Sequence, residues 1–186
     1  MYNAKNQLHE LVKELGYFED CVSFKTIVRQ GEFYSEATFW VKDGRKITEI
    51  GVGHKKTASE INASENLLSI IFDEHKDLII DWEEVKIEAQ AGDGLIKLCA
   101  YLNEAHATAE AKSIWLQQME SDKNMVEIFD QLQSENHPSV ALFGDNLGAK
   151  RKATWIEALI SKKFAQSIIA PSASKAFREL TLFLER

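Results

Sequence analysis

Two glycines close one apolar stretch and two lysines open the next, in the run Gly51-Val52-Gly53-His54-Lys55-Lys56-Thr57-Ala58. This run constrains the chain more than any other. The pattern predicts a strand that ends in a tight turn and feeds a helix running to about Leu68. Lysine is misplaced at a helix start, because the first turn carries unpaired N–H groups and the positive end of the dipole. Each costs roughly 0.3–1 kcal/mol there unless an anion sits in front of it. Amide donors and ammonium groups pointing the same way make a cradle for phosphate. The alternative is a solvated helix start that holds nothing.

Composition limits the partners. Of 186 residues, 45% are hydrophobic and four are tryptophan, enough for one domain or two small cores. A net charge of −7 and a pI near 5.3 fit a cytoplasmic protein and argue against a generic coat for nucleic acid or membrane. Cys21 and Cys99 lack ligand spacing and read as reduced thiols. The chain opens without an apolar signal core, and no run approaches the ~20 apolar residues a membrane span needs, so no membrane partner is expected.

The organisation changes partway along. Leu8, Leu11, Val12 and Leu15 recur at helical spacing before Gly16. Residues 22–28, 37–41 and 47–52 have strand character, with Asp43-Gly44 as a hairpin turn. Thr57 and Glu60 have capping-box spacing, or else lie inside the helix. A charged stretch at 73–82 links to a second region. Its helical patterns run over about 85–104, 107–120, 122–133, 149–166 and 172–185. The fold class is therefore an α+β domain of order α-β-β-β-α over 1–75, followed by an all-α domain over 76–186.

Two acids stand out in the helical region. Asp93 follows Gly92 and opens Gly94-Leu95-Ile96, and Glu157 sits within Trp155-Ile156-Glu157-Ala158-Leu159-Ile160. An ionised carboxylate among apolar residues is costly unless paired or bound to metal. Two helices each offering one inward carboxylate can hold Mg²⁺ and support phosphodiester hydrolysis. The alternative is two surface or salt-bridged acids. Lys97, one turn after Asp93, is placed to form an i,i+4 pair that replaces the metal. Lys150, Arg151 and Lys152 read as a phosphate contact or as a solvated basic turn.

The first region resembles a double-stranded-RNA-binding domain. That family carries G-x-G-x-S-K-K-x-A-K-x-x-A-A-x-x-x-L at its last strand-helix junction, and Gly51, Gly53, Lys55, Lys56, Ala58, Ala63 and Leu67 follow it with one residue fewer between the second glycine and the lysine pair. Asn6-Gln7-Leu8-His9-Glu10-Leu11 is similar to the first-helix signature, and Phe24, Gly31 and Phe39 match strand and loop positions. The resemblance covers about residues 3–72. It implies duplex RNA contacts from Gln7 and Glu10 in the minor groove, from Tyr34 in the first hairpin loop, and from His54, Lys55 and Lys56 at the helix start. His54 replaces the family's serine before the lysine pair, Ser59 replaces the lysine after Ala58, and Glu32 adds an acid to the loop. Residues 1–75 carry nine basic and twelve acidic side chains, so weak, salt-sensitive binding centred on Lys55 and Lys56 is expected.

The second region resembles ribonuclease III. Gly92-Asp93-Gly94-Leu95-Ile96 is similar to the family's G-D-A-V-L core, Ala153 to Ile160 to its A-D-x-x-E-A-L-I motif, and Ala170 to Leu184 to its closing helix. Ala89 and Thr154 stand where most members have further acids, as they do in the Mini-ribonuclease III branch. The resemblance implies an endoribonuclease that cuts double-stranded or structured RNA as a homodimer, with Mg²⁺ (or Mn²⁺) on the catalytic acids Asp93 and Glu157 and Asp145 as a further ligand. The missing acids equally allow a catalytically inactive RNA-binding scaffold that only dimerises. The low charge of the first domain allows an adaptor for proteins.

Overall fold

The computed structural model describes residues 3–102, 108–169 and 173–185. The chain divides into two compact units. One runs to Ile80 and takes in Ala141–Leu147; the other comprises Asp81–Val140 and Gly148 onward. Residues 141–147 thus belong with the first unit, although the helical pattern on either side of them assigns them to the second.

The first unit has the order α1 (Ala4–Glu14), β1 (Val22–Arg29), β2 (Glu32–Trp40), β3 (Lys46–Gly53), α2 (Lys56–Glu74). The strands form one antiparallel sheet in the order β1-β2-β3. Asn3 caps α1 by accepting from the Asn6 amide, and Gly16 leaves the helix at φ +80°. In the sheet Val22 pairs with Phe39, and Phe39 with Ile47. Ala37, Phe39 and Ile47 therefore share one face, and they are buried with Leu8, Val12, Ala63, Leu67 and Ile71 of the two helices. The opposite face carries Ile27, Ile50 and Val52 exposed.

Strand β2 begins five residues earlier than the sequence pattern indicates. Gln30 and Gly31 both take positive φ, 52° and 83°, which is the twist that lets a two-residue turn join antiparallel strands. The segment read as a loop is instead ladder, with Arg29 opposite Glu32 and Ile27 opposite Tyr34.

Gly51 and Gly53 serve packing. A Cβ on Gly51 would lie 2.0 Å from the Ala63 amide nitrogen, and one on Gly53 would lie 2.7 Å from that of Ser59. Only bare backbone lets β3 come this close to α2. Asn62 and Asn66 donate to the Val52 and Ile50 carbonyls from the same helix. A buried hydroxyl chain joins Thr26, Ser35 and Ser59, and the Ser59 hydroxyl donates on to the Lys56 carbonyl. Residues 141–147 dock on the end of α1. The Gly144 amide donates to the Leu15 carbonyl, Asn146 to Gly16, and the Tyr17 hydroxyl to Leu142. Burial pushes the Tyr17 phenol up to about 12.

The second unit contains α3 (Trp82–Leu102), α4 (Ala109–Met119), α5 (Asp122–Ser134), α6 (Ala149–Ile169) and α7 (Ala173–Leu184). Asp81, Thr108 and Ser121 cap the first three through side-chain oxygens. The core gathers Val85, Ile96, Met125, Phe129, Ile156, Ile160 and Leu180. The expected helix limits at 104 and 107, and the opening residues 170–172 of the closing helix, lie outside the described residues. Ala176 and Phe183 of α7 are buried, and the Phe183 ring lies 6.0 Å from that of Phe164. Both cysteines are free. Among the described residues no helix is long and apolar enough to cross a membrane.

Gly51→Ala should lower stability by about 2–3 kcal/mol, because neither the β3 nor the α2 backbone can yield to the added Cβ. The check is the urea midpoint by circular dichroism; an unchanged midpoint would show that the sheet and helix separate freely.

Candidate functional site

Each unit presents its own cluster. In the first, β3 delivers the chain to α2 with Lys55 as the N-cap residue, and no side chain caps that end. The first turn contains no acidic residue. Thr57 lies inside the helix. The first-turn amide donors are therefore left without a side-chain acceptor, next to two exposed lysines. Lys55 has no ionic partner among the described residues. Lys56 lies 3.8 Å from Glu60, and Lys5 of α1 lies 2.7 Å from the same carboxylate. His54 is 91% exposed, with Glu32 3.6 Å away.

The other expected RNA contacts fall elsewhere in this unit. Gln7 and Glu10 are exposed on α1, where they border a groove floored by Leu11, Leu68 and Phe72. Tyr34 is not in a loop. It stands on the outer sheet face, beside Lys25, Ile27, Arg29 and Ile50 in a shallow depression of about 420 Å³. The two-residue hairpin leaves no loop to carry it. Lys5, which sequence reasoning does not single out, joins the cluster because one turn of α1 passes Glu60. It also lies over the Phe24 ring at 4.5 Å.

In the second unit α3 and α6 meet at backbone distance. A Cβ on Gly92 would lie 1.9 Å from the Glu157 carbonyl oxygen, so glycine sets how close the two helices come. This contact brings Ala89, Asp93, Thr154 and Glu157, with Lys86 and Gln90, around one open cleft of about 320 Å³. The two motif acids and the two motif positions without acids thus converge. The Thr154 hydroxyl is turned back to the Lys150 carbonyl. Lys152 pairs with Asp130, and Arg151 lies over the Trp82 ring.

The electrostatics of the cleft are unbalanced. Asp93 is paired with Lys97 at 2.6 Å, the i,i+4 contact its spacing allows. Glu157 makes no ion pair among the described residues. Burial, then the carboxylates of Asp93 and Asp122, push it up to about 7, against a smaller opposing pull from Lys97. Asp145 lies in residues 141–147 of the first unit and forms an ion pair with Lys42. Among the described residues no group of three or more His, Cys, Asp and Glu side chains is arranged to hold a metal ion. The donor set is therefore two hard carboxylates, one of them half-buried beside like charges. That suits a cation such as Mg²⁺, which takes one or two carboxylates and fills its remaining positions with water and substrate phosphate.

Helix α3 carries a further feature. Ile87, Ala91, Gly94, Leu98 and Tyr101, spaced four and three residues apart, are all exposed and form one apolar stripe. Leu102 extends it.

No family model, no curated protein and no solved structure matches this chain.

The Glu157 carboxyl predicts a pH dependence. With its native pKa near 7 against an ordinary 4.5, the folded state holds the extra proton between those values. Its contribution to stability is present below about pH 4.5 and is lost as pH rises through 7. Glu157→Gln should therefore gain stability over wild type by about 1–2 kcal/mol at pH 8 but not at pH 4.5, after discounting for solvent screening. Urea titrations across that range check it.

Proposed function

We propose that this protein binds double-stranded or structured RNA through its first unit and cleaves it with the second, in a reaction dependent on Mg²⁺ (or Mn²⁺). The observation that carries this reading is the convergence of residues 89, 93, 154 and 157 on one cleft, held together by Gly92. Asp93 and Glu157 would hold the cation. Bound there, it supplies a Lewis acid for the phosphodiester and lowers the pKa of water. Burial, and after it the charges of Asp93 and Asp122, raise the Glu157 carboxyl, and a cation beside it would offset that repulsion. Lys86 and Gln90 border the cleft and can orient a phosphate backbone. Lys55 and Lys56 contribute phosphate contacts that position the duplex without reading its sequence. The α-β-β-β-α order and the uncapped start of α2 support a double-stranded-RNA-binding identity for the first unit. A cytoplasmic site of action accords with two free thiols.

A second reading has its own support. The Asp93–Lys97 ion pair and the lack of acids at 89 and 154 favour an inactive RNA-binding scaffold. One assay separates the two. Wild-type protein with Mg²⁺ should cut an RNA duplex, and chelation should stop it. Asp93→Asn and Glu157→Gln should each abolish cutting and leave binding intact. The Lys55→Ala, Lys56→Ala double variant should weaken binding to all duplexes and flatten its salt dependence by about one to two units of slope. Duplex binding without Mg²⁺- or Mn²⁺-dependent cutting establishes the scaffold.

In either reading the exposed α3 stripe would join two copies about a two-fold axis, with Ala91 and Gly94 allowing close approach. Leu98→Glu should then convert a dimer into a 21.1 kDa monomer in sedimentation at tens of micromolar (roughly the range where standard interfaces hold). A wild-type protein that sediments only as monomer removes the dimer.

A further inference from the structure

Lys97 is a cation already lodged among the acids of the second unit. Its ammonium nitrogen lies 2.6 Å from Asp93 Oδ2 and 4.0 Å from Glu120 Oε2. Asp93 and Lys97 are one turn apart on α3, whereas Glu120 is the C-cap residue of α4. Glu120 Oε2 is buried and accepts no hydrogen bond from the described residues. A buried carboxylate oxygen left in that condition is costly, and an ammonium moving close enough would relieve it. Lysine carries three donors on a flexible four-carbon stem, so the two acceptors lie within reach of a small side-chain movement. The charges of Asp93, Glu120 and Glu157 all act on Lys97, and that of Asp122 acts on Glu157.

We propose that Lys97 is a built-in stand-in for the divalent cation: it holds Asp93 in the cation's absence and crosses to Glu120 Oε2 when the cation arrives. Glu120 is then a positioning residue, which accepts the displaced ammonium and touches neither substrate nor metal. This rests on the metal-dependent reading above. It gives Lys97 and the orphaned oxygen one shared explanation. Asp93 keeps a counter-charge without metal, and a divalent ion enters only by outcompeting a monovalent one.

The test is Mn²⁺ binding by the full chain, followed by electron paramagnetic resonance and calorimetry, with circular dichroism to confirm folding. Lys97→Met should tighten Mn²⁺ about tenfold, since it removes a unit charge that the ion must displace. Glu120→Gln should weaken it several-fold, because Lys97 loses its second acceptor. In the Lys97→Met background Glu120→Gln should have no effect. Equal weakening in both backgrounds would mean that Glu120 acts only through its charge, and the proposal would fall. So would an unchanged affinity in Lys97→Met, although Mn²⁺ binding lost on Asp93→Asn would leave the metal site standing. Absence of Mn²⁺ binding in wild type and Lys97→Met alike would overturn both the stand-in and the nuclease.

Discussion

Bare backbone at two junctions sets the geometry on which both clusters depend. At Gly51 and Gly53 the third strand touches the second helix with nothing between them, and at Gly92 one long helix touches another at the Glu157 carbonyl. Packed interiors tolerate little added volume, so these are all-or-none contacts. The first seats the α2 N-terminus at the end of β3, with its amide donors open. The second places Asp93 and Glu157 around one cleft. A side chain at either junction would push apart the elements that carry the charged groups.

The two clusters carry opposite charge and are balanced to different degrees. At the start of α2, Glu60 draws on both Lys5 and Lys56 and leaves Lys55 the freest cation. With twelve acids against nine bases over residues 1–75, attraction for a polyanion from this unit is modest and falls quickly with salt. In the second unit the acids outnumber their partners. Lys97 satisfies Asp93, while Glu157 remains half-buried beside like charges and Glu120 keeps one oxygen that accepts no hydrogen bond from the described residues. Like charges concentrated beside a cleft are what the proposed cation site rests on, since packing alone does not favour them.

Much of the fold was legible because periodicity is a local property. Apolar spacing marked the helices, alternation marked the strands, and Asp43-Gly44 marked a turn, which Gly44 makes at φ +94°. The first hairpin was misread because Gln30 adopts positive φ, which a glutamine does not announce. The two-residue turn places Tyr34 on the outer sheet face instead of in a loop. Residues 141–147 were misassigned because their partners, Leu15, Gly16 and Tyr17, lie far away in sequence. Lys5 and Glu120 were invisible for the same reason: each is defined by a group on another helix.

By itself the sequence determined the order of elements, the lysine pair at the start of α2, the i,i+4 spacing of Asp93 and Lys97, and the two short motifs around the helical acids. All are consequences of spacing along one chain. Only the tertiary structure decided that residues 89, 93, 154 and 157 share a cleft, that the paired glycines serve helix-sheet contact, and that Glu157 is half-buried beside like charges. Those outcomes depend on distances between segments that are remote in sequence, and the close approach of packed backbones sets such distances.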